Sequence, residues 1–435
     1  MPLRTTRTLL LITLFALPLT SCQKVEHPSP AAKSNAEPKA GKVRSKEIKS
    51  EKTIELAGDV IPETGLTAAE IEAGWIALFD GHSLFGWKAT NDVNWRVEQG
   101  IIKADTGKPG LLQTTSPFSD YELKFDFRLT TSTNSGVFLR TVFNPKDPGK
   151  DCYELNLCDR KTEYPTGSLV ARSKIQEPVP ASTEWQTFVV KLEGSQIQAS
   201  LNGKEVLNYK DTSKHQRMVG FIGLQKNEGP IEFRNIYLKP LQMSPLFNGI
   251  DLAGWRVVPG SKSTFEVVDS TIHVTAEKQG YLETEKTWDN FLFQATAKSN
   301  GIALNSGYFF RAIKGSESGM ANGYEVQIHN GIKNNDRTKP ENAGTGAIFR
   351  RTEARRVVAN DNEWFTTTLS AYGSHFAIWI NGYQVTDWTD TRTSDENPRK
   401  GLRLKAGHIS LQGHDPTTDL NFKNLKVSTL PAETP

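Results

Sequence analysis

The segment LFDGHSLFGW (78–87) returns as LFNGIDLAGW (246–255), and this repetition governs the interpretation of the whole chain. Further pairs follow in the same order: NSGVFLR with NSGYFFR, YELNLCD with YEVQIHN, TGSLVAR with TGAIFRR, LNG with INGY, IGLQKN with ISLQGH, and FRNI with FKNL. The spacing between partners grows only from about 168 to about 189 residues. Since each copy is long enough to bury its own core, we predict two tandem domains, 66–241 and 242–430, rather than a solenoid of short repeats.

Apolar and polar residues alternate within each copy, as in YELKFDFRL (121–129), QTFVVKLEG (186–194) and HFAIWING (375–382). Alternation with a period of two is typical of half-buried strands. The Asn-Gly pairs at 202–203 and 381–382 favour tight hairpins, because primed turns require positive φ. With almost no helical periodicity, the chain is predicted to be all-β and to form two jelly-roll-like sandwiches.

The N-terminus carries features of a secretory signal. Arg4 and Arg7 precede an apolar run over 9–19 that is too short to span a bilayer. The residues Leu-Thr-Ser-Cys that end at Cys22 resemble a bacterial lipobox. We therefore expect a lipoprotein signal peptide over 1–22, with Cys22 lipidated and the protein anchored to a membrane by its acyl chains. An ordinary signal peptide cleaved nearby is the alternative.

The next segment is expected to be a tether at the cell envelope. Gln23 stands where Asp would signal retention in the inner membrane, so the outer membrane is the expected location. Residues 23–65 are rich in Lys, Glu, Pro, Ala and Ser and lack Phe, Trp and Tyr, which predicts a disordered linker. A short helix is expected to follow, because Thr67 and Glu70 have the spacing of a capping box.

Charge and cysteine content argue against a nucleic-acid-binding protein and against a disulfide-stabilised one. The formal net charge is +3, and no basic cluster is interleaved with aromatic residues, so nucleic acid is not expected as a partner. Cys152 and Cys158 would lie on one face of the same strand, roughly 20 Å apart. A disulfide needs Cα atoms within about 7 Å, so we predict two unpaired thiols.

Three strands of the second copy are predicted to place polar side chains on one surface. In YEVQIHN (324–330), Glu325, Gln327 and His329 should face away from the core, opposite Tyr324, Val326 and Ile328. Arg311 should share a face with Phe309, and Gln412 should share a face with His414. Trp379 from the hairpin strand is assigned to the same surface. A carboxylate, an imidazole, a guanidinium and an indole suit a cleft that handles sugars.

A simpler interpretation is the solvent face of a sheet, where polar residues are usual. Arg311 and Glu325 could then form a structural ion pair, Trp379 could belong to the core, and His329 could be a surface polar group. The tryptophans that end the two opening motifs, Trp87 and Trp255, are expected in the cores rather than at a ligand.

Taken together, the ordered motifs resemble the 3-keto-disaccharide hydrolase family, formerly a domain of unknown function. They comprise LF(D/N)G followed by GW, NSG ending in Arg, YE, TG with an apolar pair, NG, LQ near a terminal His, and FRNI. The resemblance covers nearly everything from Leu66 to Leu430. It implies a concanavalin-like jelly roll, common in secreted or lipid-anchored bacterial proteins, and cleavage of glycosides already oxidised to a ketone at C3.

Such a reaction has clear chemical needs. The ketone acidifies the C2 proton, so that a base can form an enolate, the C1 substituent leaves by elimination, and water then adds. We expect Glu325 and His414 to be the base and the acid, in either order. Arg311, or a divalent metal held by Glu325, Gln327 and His414, would stabilise the enolate, although no compact spacing supports a metal site. Gln327, Gln412 and Trp379 would bind substrate.

The two copies differ in these residues. The first has Asn227 opposite His414, Asn156 opposite Gln327 and Ser200 opposite Trp379. It keeps three candidate substrate-binding residues, which are Arg140, Glu154 and Gln225. We therefore expect the second domain to be active and the first to bind sugar or support it. An upstream sugar oxidoreductase would supply the ketone. The alternatives are a non-catalytic carbohydrate-binding surface lipoprotein, with two sites acting together, and a structural envelope protein.

Overall fold

Strand pairing repeats along the chain as the sequence does. The computed structural model describes residues 57–177, 179–319 and 322–432. The expected signal peptide, the lipidation site Cys22 and the tether up to residue 56 lie outside the described residues.

The first copy consists of one short helix and thirteen strands within the described residues. They are α1 (Ala68–Glu72), β1 (Ile76–Ala77), β2 (Trp87–Ala89), β3 (Arg96–Glu98), β4 (Ile101–Ala104), β5 (Gly110–Thr114), β6 (Tyr121–Leu129), β7 (Ser135–Thr141), β8 (Tyr153–Leu157), β9 (Gln186–Glu193), β10 (Gln196–Leu201), β11 (Lys204–Lys210), β12 (Phe221–Lys226) and β13 (Ile231–Pro240).

The second copy consists of strands alone within the same described part of the chain. They are β14 (Ser244–Pro245), β15 (Trp255–Val257), β16 (Ser263–Val268), β17 (Thr271–Ala276), β18 (Gly280–Thr284), β19 (Phe291–Ser299), β20 (Ser306–Ala312), β21 (Tyr324–Ile328), β22 (Ile332–Lys333), β23 (Asp336–Pro340), β24 (Trp364–Tyr372), β25 (His375–Ile380), β26 (Tyr383–Thr389), β27 (His408–Gly413) and β28 (Asp419–Thr429).

Each copy pairs a larger sheet with a five-stranded one. The larger sheets run β11-β10-β9-β6-β13-β4-β3, with β1 beside β13, and β26-β25-β24-β19-β28-β17-β16, with β14 beside β28. The five-stranded sheets run β2-β5-β12-β7-β8 and β15-β18-β27-β20-β21. The second copy adds the ribbon β22-β23. The order of equivalent strands is identical, which confirms the duplication and the two all-β sandwiches.

Local signals explain several elements. The side chain of Thr67 accepts from the Glu70 backbone, and Glu70 accepts from the Thr67 backbone, so the predicted capping box is present. Asn202 and Asn381 have φ of 50°, each followed by glycine with positive φ, and both Asn-Gly pairs join the predicted hairpins. No helix in the described ranges has the length and hydropathy needed to cross a membrane.

The cores fill with the side chains that the alternation predicts. Trp87 and Trp255 are buried, and each indole donates 2.6 Å to the backbone carbonyl nine residues before it. In the second core, Phe310 stacks on Tyr324 at 5.2 Å and meets Phe376 edge to face at 5.1 Å. Such pairs add about 0.5–1.5 kcal/mol each beyond the burial of their area. Cys152 and Cys158 are buried and unpaired, as predicted.

The two sandwiches pack against each other through Trp379. Its indole donates 3.0 Å to the carbonyl of Ala77 and lies 6.4 Å from the ring of Phe118. Nearby, Arg355 forms a 2.9 Å ion pair with Asp80, whose side chain is almost fully buried. Residues of both copies therefore share one continuous apolar cluster.

Trp379 corrects a prediction about the polar surface. Its neighbours Ile378 and Ile380 face the second core, as expected from alternation. Trp379 itself points the other way, but it belongs to the larger sheet, and the first sandwich covers it. It therefore lies away from the five-stranded sheet that carries Glu325, and it is not a stacking platform for sugar.

The end of the expected tether is ordered. Residues 57–65 were assigned to the disordered linker, yet Arg356 donates to the carbonyls of Ala57, at 3.0 Å, and Val60, at 2.6 Å. The amide of Arg337 donates 2.6 Å to the Gly58 carbonyl. Composition did not predict this order, because the donors come from residues nearly 300 positions away.

Candidate functional site

The outer face of the five-stranded sheet of the second sandwich forms a small polar cavity. Strand β21 turns Tyr324, Val326 and Ile328 into the core and leaves Glu325 and Gln327 on the opposite face, as predicted. The cavity is small, about 100 Å³, which is below the roughly 300–1,000 Å³ usual for sites that enclose a whole small molecule. Its lining residues are Gln279, Asn305, Glu325, Gln327, Phe349, Arg350, Arg399, Gln412 and His414.

A chain of hydrogen bonds orients the imidazole of His414. The amide of Gln327 donates 3.0 Å to Oδ1 of Asn305, which leaves the Asn305 Nδ2 facing Nε2 of His414 at 3.2 Å. On the other side of the ring, Nδ1 lies 2.7 Å from the carboxylate of Asp415. An amide donor at Nε2 and a carboxylate at Nδ1 assign the proton to Nδ1. The lone pair on Nε2 therefore accepts from Asn305 at the cavity wall, and it becomes available to a substrate when that hydrogen bond is exchanged.

Two amide oxygens in the cavity wall have no partner within the described structure. They are Oε1 of Gln327 and Oε1 of Gln412, on side chains that are each 1 % exposed. The Gln412 amide nitrogen donates 3.4 Å to the hydroxyl of Tyr281, which also accepts from Gln279 at 2.7 Å. Leaving a buried acceptor unsatisfied costs about 1–3 kcal/mol, so both oxygens are suited to accept ligand hydroxyls.

Glu325 is the buried carboxyl of this cavity, with 5 % of its surface exposed. Burial raises its pKa, opposed by the nearby guanidinium groups of Arg399 and Arg350. The guanidinium of Arg399 lies 3.3 Å from its Oε2. The carboxyl can therefore both hold a proton and form an ion pair, depending on what enters the cavity.

Several cavity residues were not singled out from the sequence. Asn305 is the first residue of the quoted NSG motif, and Asp415, which contacts His414 beside the cavity, directly follows it in the sequence. Arg350 and Arg399 lie in loops, where periodicity gives no orientation. His329, at the end of the same polar row, is buried, accepts 3.3 Å from the Gly331 amide, and has its pKa lowered by burial.

Arg311 does not lie on this surface, and the reason is a bulge in β20. The residue has φ of 46°, and the register against β27 shifts between Phe309 and Ala312. The side chain therefore turns away from Phe309 and runs into the interior, 5.3 Å from the ring of Phe376. Its guanidinium donates to the carbonyls of Asp289, Gly373 and Arg403 at 2.7–2.9 Å. Burial lowers its pKa to about 10.

Arg140 repeats this arrangement in the first copy. It has φ of 46°, is fully buried, and donates to the carbonyls of Ser119, Gly194 and Arg217. It also forms a 2.8 Å ion pair with Asp120. Both arginines thus secure the backbone from within, so the expected roles of Arg311 in catalysis and Arg140 in substrate binding are corrected to structural ones.

A family model matches both copies over most of the chain. The model describes a 3-keto-alpha-glucoside-1,2-lyase-like domain, and it matches residues 74–239 and 242–428. The chain belongs to this family. Membership identifies a carbohydrate-active protein built from two tandem domains of the lyase-like family.

Similar solved structures were found, whereas no curated protein matches the sequence. Two come from Parabacteroides distasonis ATCC 8503, each described as a candidate glycosyl hydrolase. The first is 23 % identical, with 41 % of this chain and 98 % of that one covered and a TM-score of 0.36. The second is 24 % identical, covers 38 % of this chain and 99 % of its own, and has a TM-score of 0.32. The carbohydrate binding module CBM66 of Bacillus subtilis is 15 % identical, covers 35 % of this chain and 95 % of its own, and has a TM-score of 0.29.

The first lyase-like domain has a less charged version of the site. Glu154 is buried and hydrogen-bonded to Gln225, whose Oε1 has no further partner within the described residues. Burial raises the pKa of Glu154 to about 7, and the hydrogen bond from Gln225 opposes this only in part. Without a neighbouring arginine, the carboxyl is neutral over much of the accessible pH range.

This burial makes Glu154 a source of pH-dependent stability. A folded pKa of about 7 exceeds the ordinary value of 4.5, so the contribution is fully present below pH 4.5 and is lost as pH rises through 7. We expect Glu154→Gln to leave stability unchanged at pH 4.5 and to raise the free energy of unfolding at pH 8 by about 3 kcal/mol. Urea unfolding at both pH values measures this difference.

Glu325→Gln provides the matched control for that measurement. Removing this carboxyl also leaves Arg399 without its partner, so its gain at pH 8 should be smaller. Parallel stability curves for Glu154→Gln and the unmodified protein between pH 4.5 and 8 would contradict the assignment.

The predicted metal ligands Glu325, Gln327 and His414 all line the cavity, but their surroundings do not favour a cation. Within the described residues, no group of three or more His, Cys, Asp or Glu side chains is arranged to hold a metal ion. Arg399 already pairs with the Glu325 carboxylate, and Arg350 adds a second positive charge. The arrangement therefore does not fit a metal site as it stands, and the divalent metal remains a prediction for chelation experiments.

Proposed function

We propose that the second domain cleaves the glycosidic bond of 3-keto glycosides or 3-keto disaccharides by elimination followed by hydration. The observation that carries this proposal is the orientation of His414, whose Nε2 lone pair lies at the same cavity as a buried carboxyl and two unpartnered amide oxygens. Family membership supports the same chemistry.

His414 would take the proton from C2 of the sugar. The C2–H bond breaks, its electrons form the C2=C3 bond, and the C3 carbonyl becomes an enolate oxygen. Asp415 at Nδ1 would stabilise the imidazolium that results, as a carboxylate does for other catalytic histidines. The oriented imidazole is therefore assigned the role of base, which the sequence had left open between His414 and Glu325.

Arg399 and Glu325 would stabilise the enolate and protonate the leaving group, respectively. The guanidinium would stabilise the enolate oxygen, since it reaches the cavity from the loop beside Glu325. As the ketone re-forms, a C1=C2 bond forms and the C1–O bond breaks. Glu325, whose pKa is raised by burial, would give its proton to the departing oxygen.

Hydration would restore both groups. Water adds its oxygen to C1 while Glu325 takes a proton from it, and His414 returns its proton to C2. The products are a 3-keto sugar and the free aglycone or second sugar. An oxidoreductase acting on C3 must supply the substrate, and a lipid on Cys22 would hold the enzyme at the cell envelope, preferably at the outer membrane.

The test is release of aglycone from 3-keto glycosides and from their unoxidised parents by the full-length protein. We expect turnover of the keto substrates alone, because only the ketone makes the C2 proton acidic. A parallel series with chelator decides whether a divalent metal takes part. Equal turnover of oxidised and unoxidised glycosides would contradict elimination.

Carbohydrate binding without catalysis is the second candidate, favoured by the unpartnered amide oxygens of Gln327 and Gln412. It predicts saturable binding of unoxidised glycans with no turnover of any keto glycoside, and binding that persists in Glu325→Ala.

A further inference from the structure

The cavity of the second domain has more positive charge than its own carboxyl can neutralise. Arg350 and Arg399 both line it, and Glu325 is the carboxyl among the lining residues. Arg399 pairs with Glu325 at 3.3 Å. The Arg350 guanidinium instead lies 5.4 Å from the ring of Phe349, with no carboxylate of the described chain in ion-pair contact. With Glu325 ionised, one positive charge is left over.

The arginine at position 350 is not needed for the turn that carries it. Arg350 has φ of 61°, a left-handed conformation, and its counterpart in the first copy is Ala171 with φ of 60°. The residues before them make equivalent backbone hydrogen bonds. The Phe349 amide donates to the backbone carbonyl of Glu325, and the Val170 amide donates to that of Glu154. The same backbone therefore forms with alanine, so the side chain of Arg350 serves something other than folding.

Arg399 is present because of a longer loop. Tyr324 donates to Asp390 and accepts from the Arg403 amide, as Tyr153 does with Asp211 and Arg217 in the first copy. Arg403 follows Asp390 by thirteen positions, whereas Arg217 follows Asp211 by six. The added residues bring Arg399 to the cavity.

Arg351 connects the two cationic segments. Its guanidinium donates 3.1 Å to the carbonyl of Arg350 and 2.6 Å to the carbonyl of Arg399. The counterpart Arg172 forms a 3.0 Å ion pair with Asp211 instead. The second copy therefore fixes the backbone of both arginines beside the cavity.

We propose that the preferred substrate of this site carries a carboxylate, as in a uronic acid unit or an acidic aglycone, and that Arg350 binds it next to Arg399. The inference rests on the proposed function of the second domain and specifies its substrate class. Guanidinium groups bind carboxylates through paired, charge-assisted hydrogen bonds, which explains two arginines where the first domain has none. The first domain, with Ala171 at this turn, would take uncharged sugars.

The test measures kcat/KM for three substrates with the same aglycone. They are a 3-keto glucoside, the corresponding 3-keto glucuronide and a sulfated analogue. For the unmodified protein we expect kcat/KM to favour the glucuronide by about tenfold. Arg350→Ala should abolish that preference, and Arg350→Lys should retain part of it, because lysine keeps the charge without the planar fork. Lys405→Ala, which removes an exposed charge of the same domain, is the control and should preserve the preference.

Calorimetric binding of the unoxidised glucuronide and glucoside separates this inference from the proposed function. Tighter binding of the glucuronide that depends on Arg350 would support the inference even if no keto substrate were turned over. Turnover of keto glycosides with the same acid-to-neutral ratio in the unmodified protein and Arg350→Ala would overturn it while leaving the function intact. A preference for sulfate over carboxylate would also overturn it.

Discussion

His414→Ala and Glu325→Gln are each expected to lower kcat on a 3-keto glycoside by about 10²–10⁴-fold. The first removes the base that would take the C2 proton, and the second removes the proton donor to the leaving oxygen. Each substitution should leave the fold intact, because both side chains lie on the outer face of the sheet rather than in the core. Initial rates of aglycone release, with circular dichroism as a folding check, measure the effect.

The duplicated fold supplies matched controls for these variants. Asn227→Ala and Glu154→Gln change the corresponding positions of the first domain and should leave turnover within about twofold, since that domain has no imidazole opposite its carboxyl. Loss of activity in Glu154→Gln, together with normal activity in Glu325→Gln, would place the active site in the first domain and reverse the assignment.

Trp379→Ala is expected to lower the free energy of unfolding by about 3–5 kcal/mol, the range for truncating a buried tryptophan. The side chain is 2 % exposed, packs against Phe118 and donates to the Ala77 carbonyl, so truncation opens a cavity between the sandwiches and removes a buried donor. Urea unfolding measures the loss. Trp379→Phe should cost less, because it retains much of the packing.

Ser200→Ala tests the same position in the first copy. This residue is only partly buried, so its substitution should change stability by no more than about 0.5 kcal/mol. If Trp379 lined a sugar site instead, Trp379→Ala would weaken ligand binding with little effect on unfolding, and that result would contradict the interface.

Prediction from the sequence succeeded where a short-range rule was sufficient. The period-two alternation assigned Glu325 and Gln327 to one face and Val326 to the other, because successive side chains of a strand point to opposite sides. The same rule failed at Arg311, where a bulge adds a residue and reverses the side chain that follows. The identical φ at Arg140 shows that the bulge belongs to both copies, although a bulge leaves little trace in alternation.

The sequence by itself determined the duplication, the all-β class, the hairpins at Asn202 and Asn381, and the outward row on β21, since repeats, turn chemistry and alternation are local properties. The tertiary structure alone decided which residues contact the outward side chains of β21. Asp415 and Asn305 orient His414, Arg399 enters from a longer loop, and Trp379 is covered by the first sandwich. Apart from the contact of Asp415, these contacts join residues 74 to 302 positions apart. They depend on how sheets and domains pack, which no local pattern encodes.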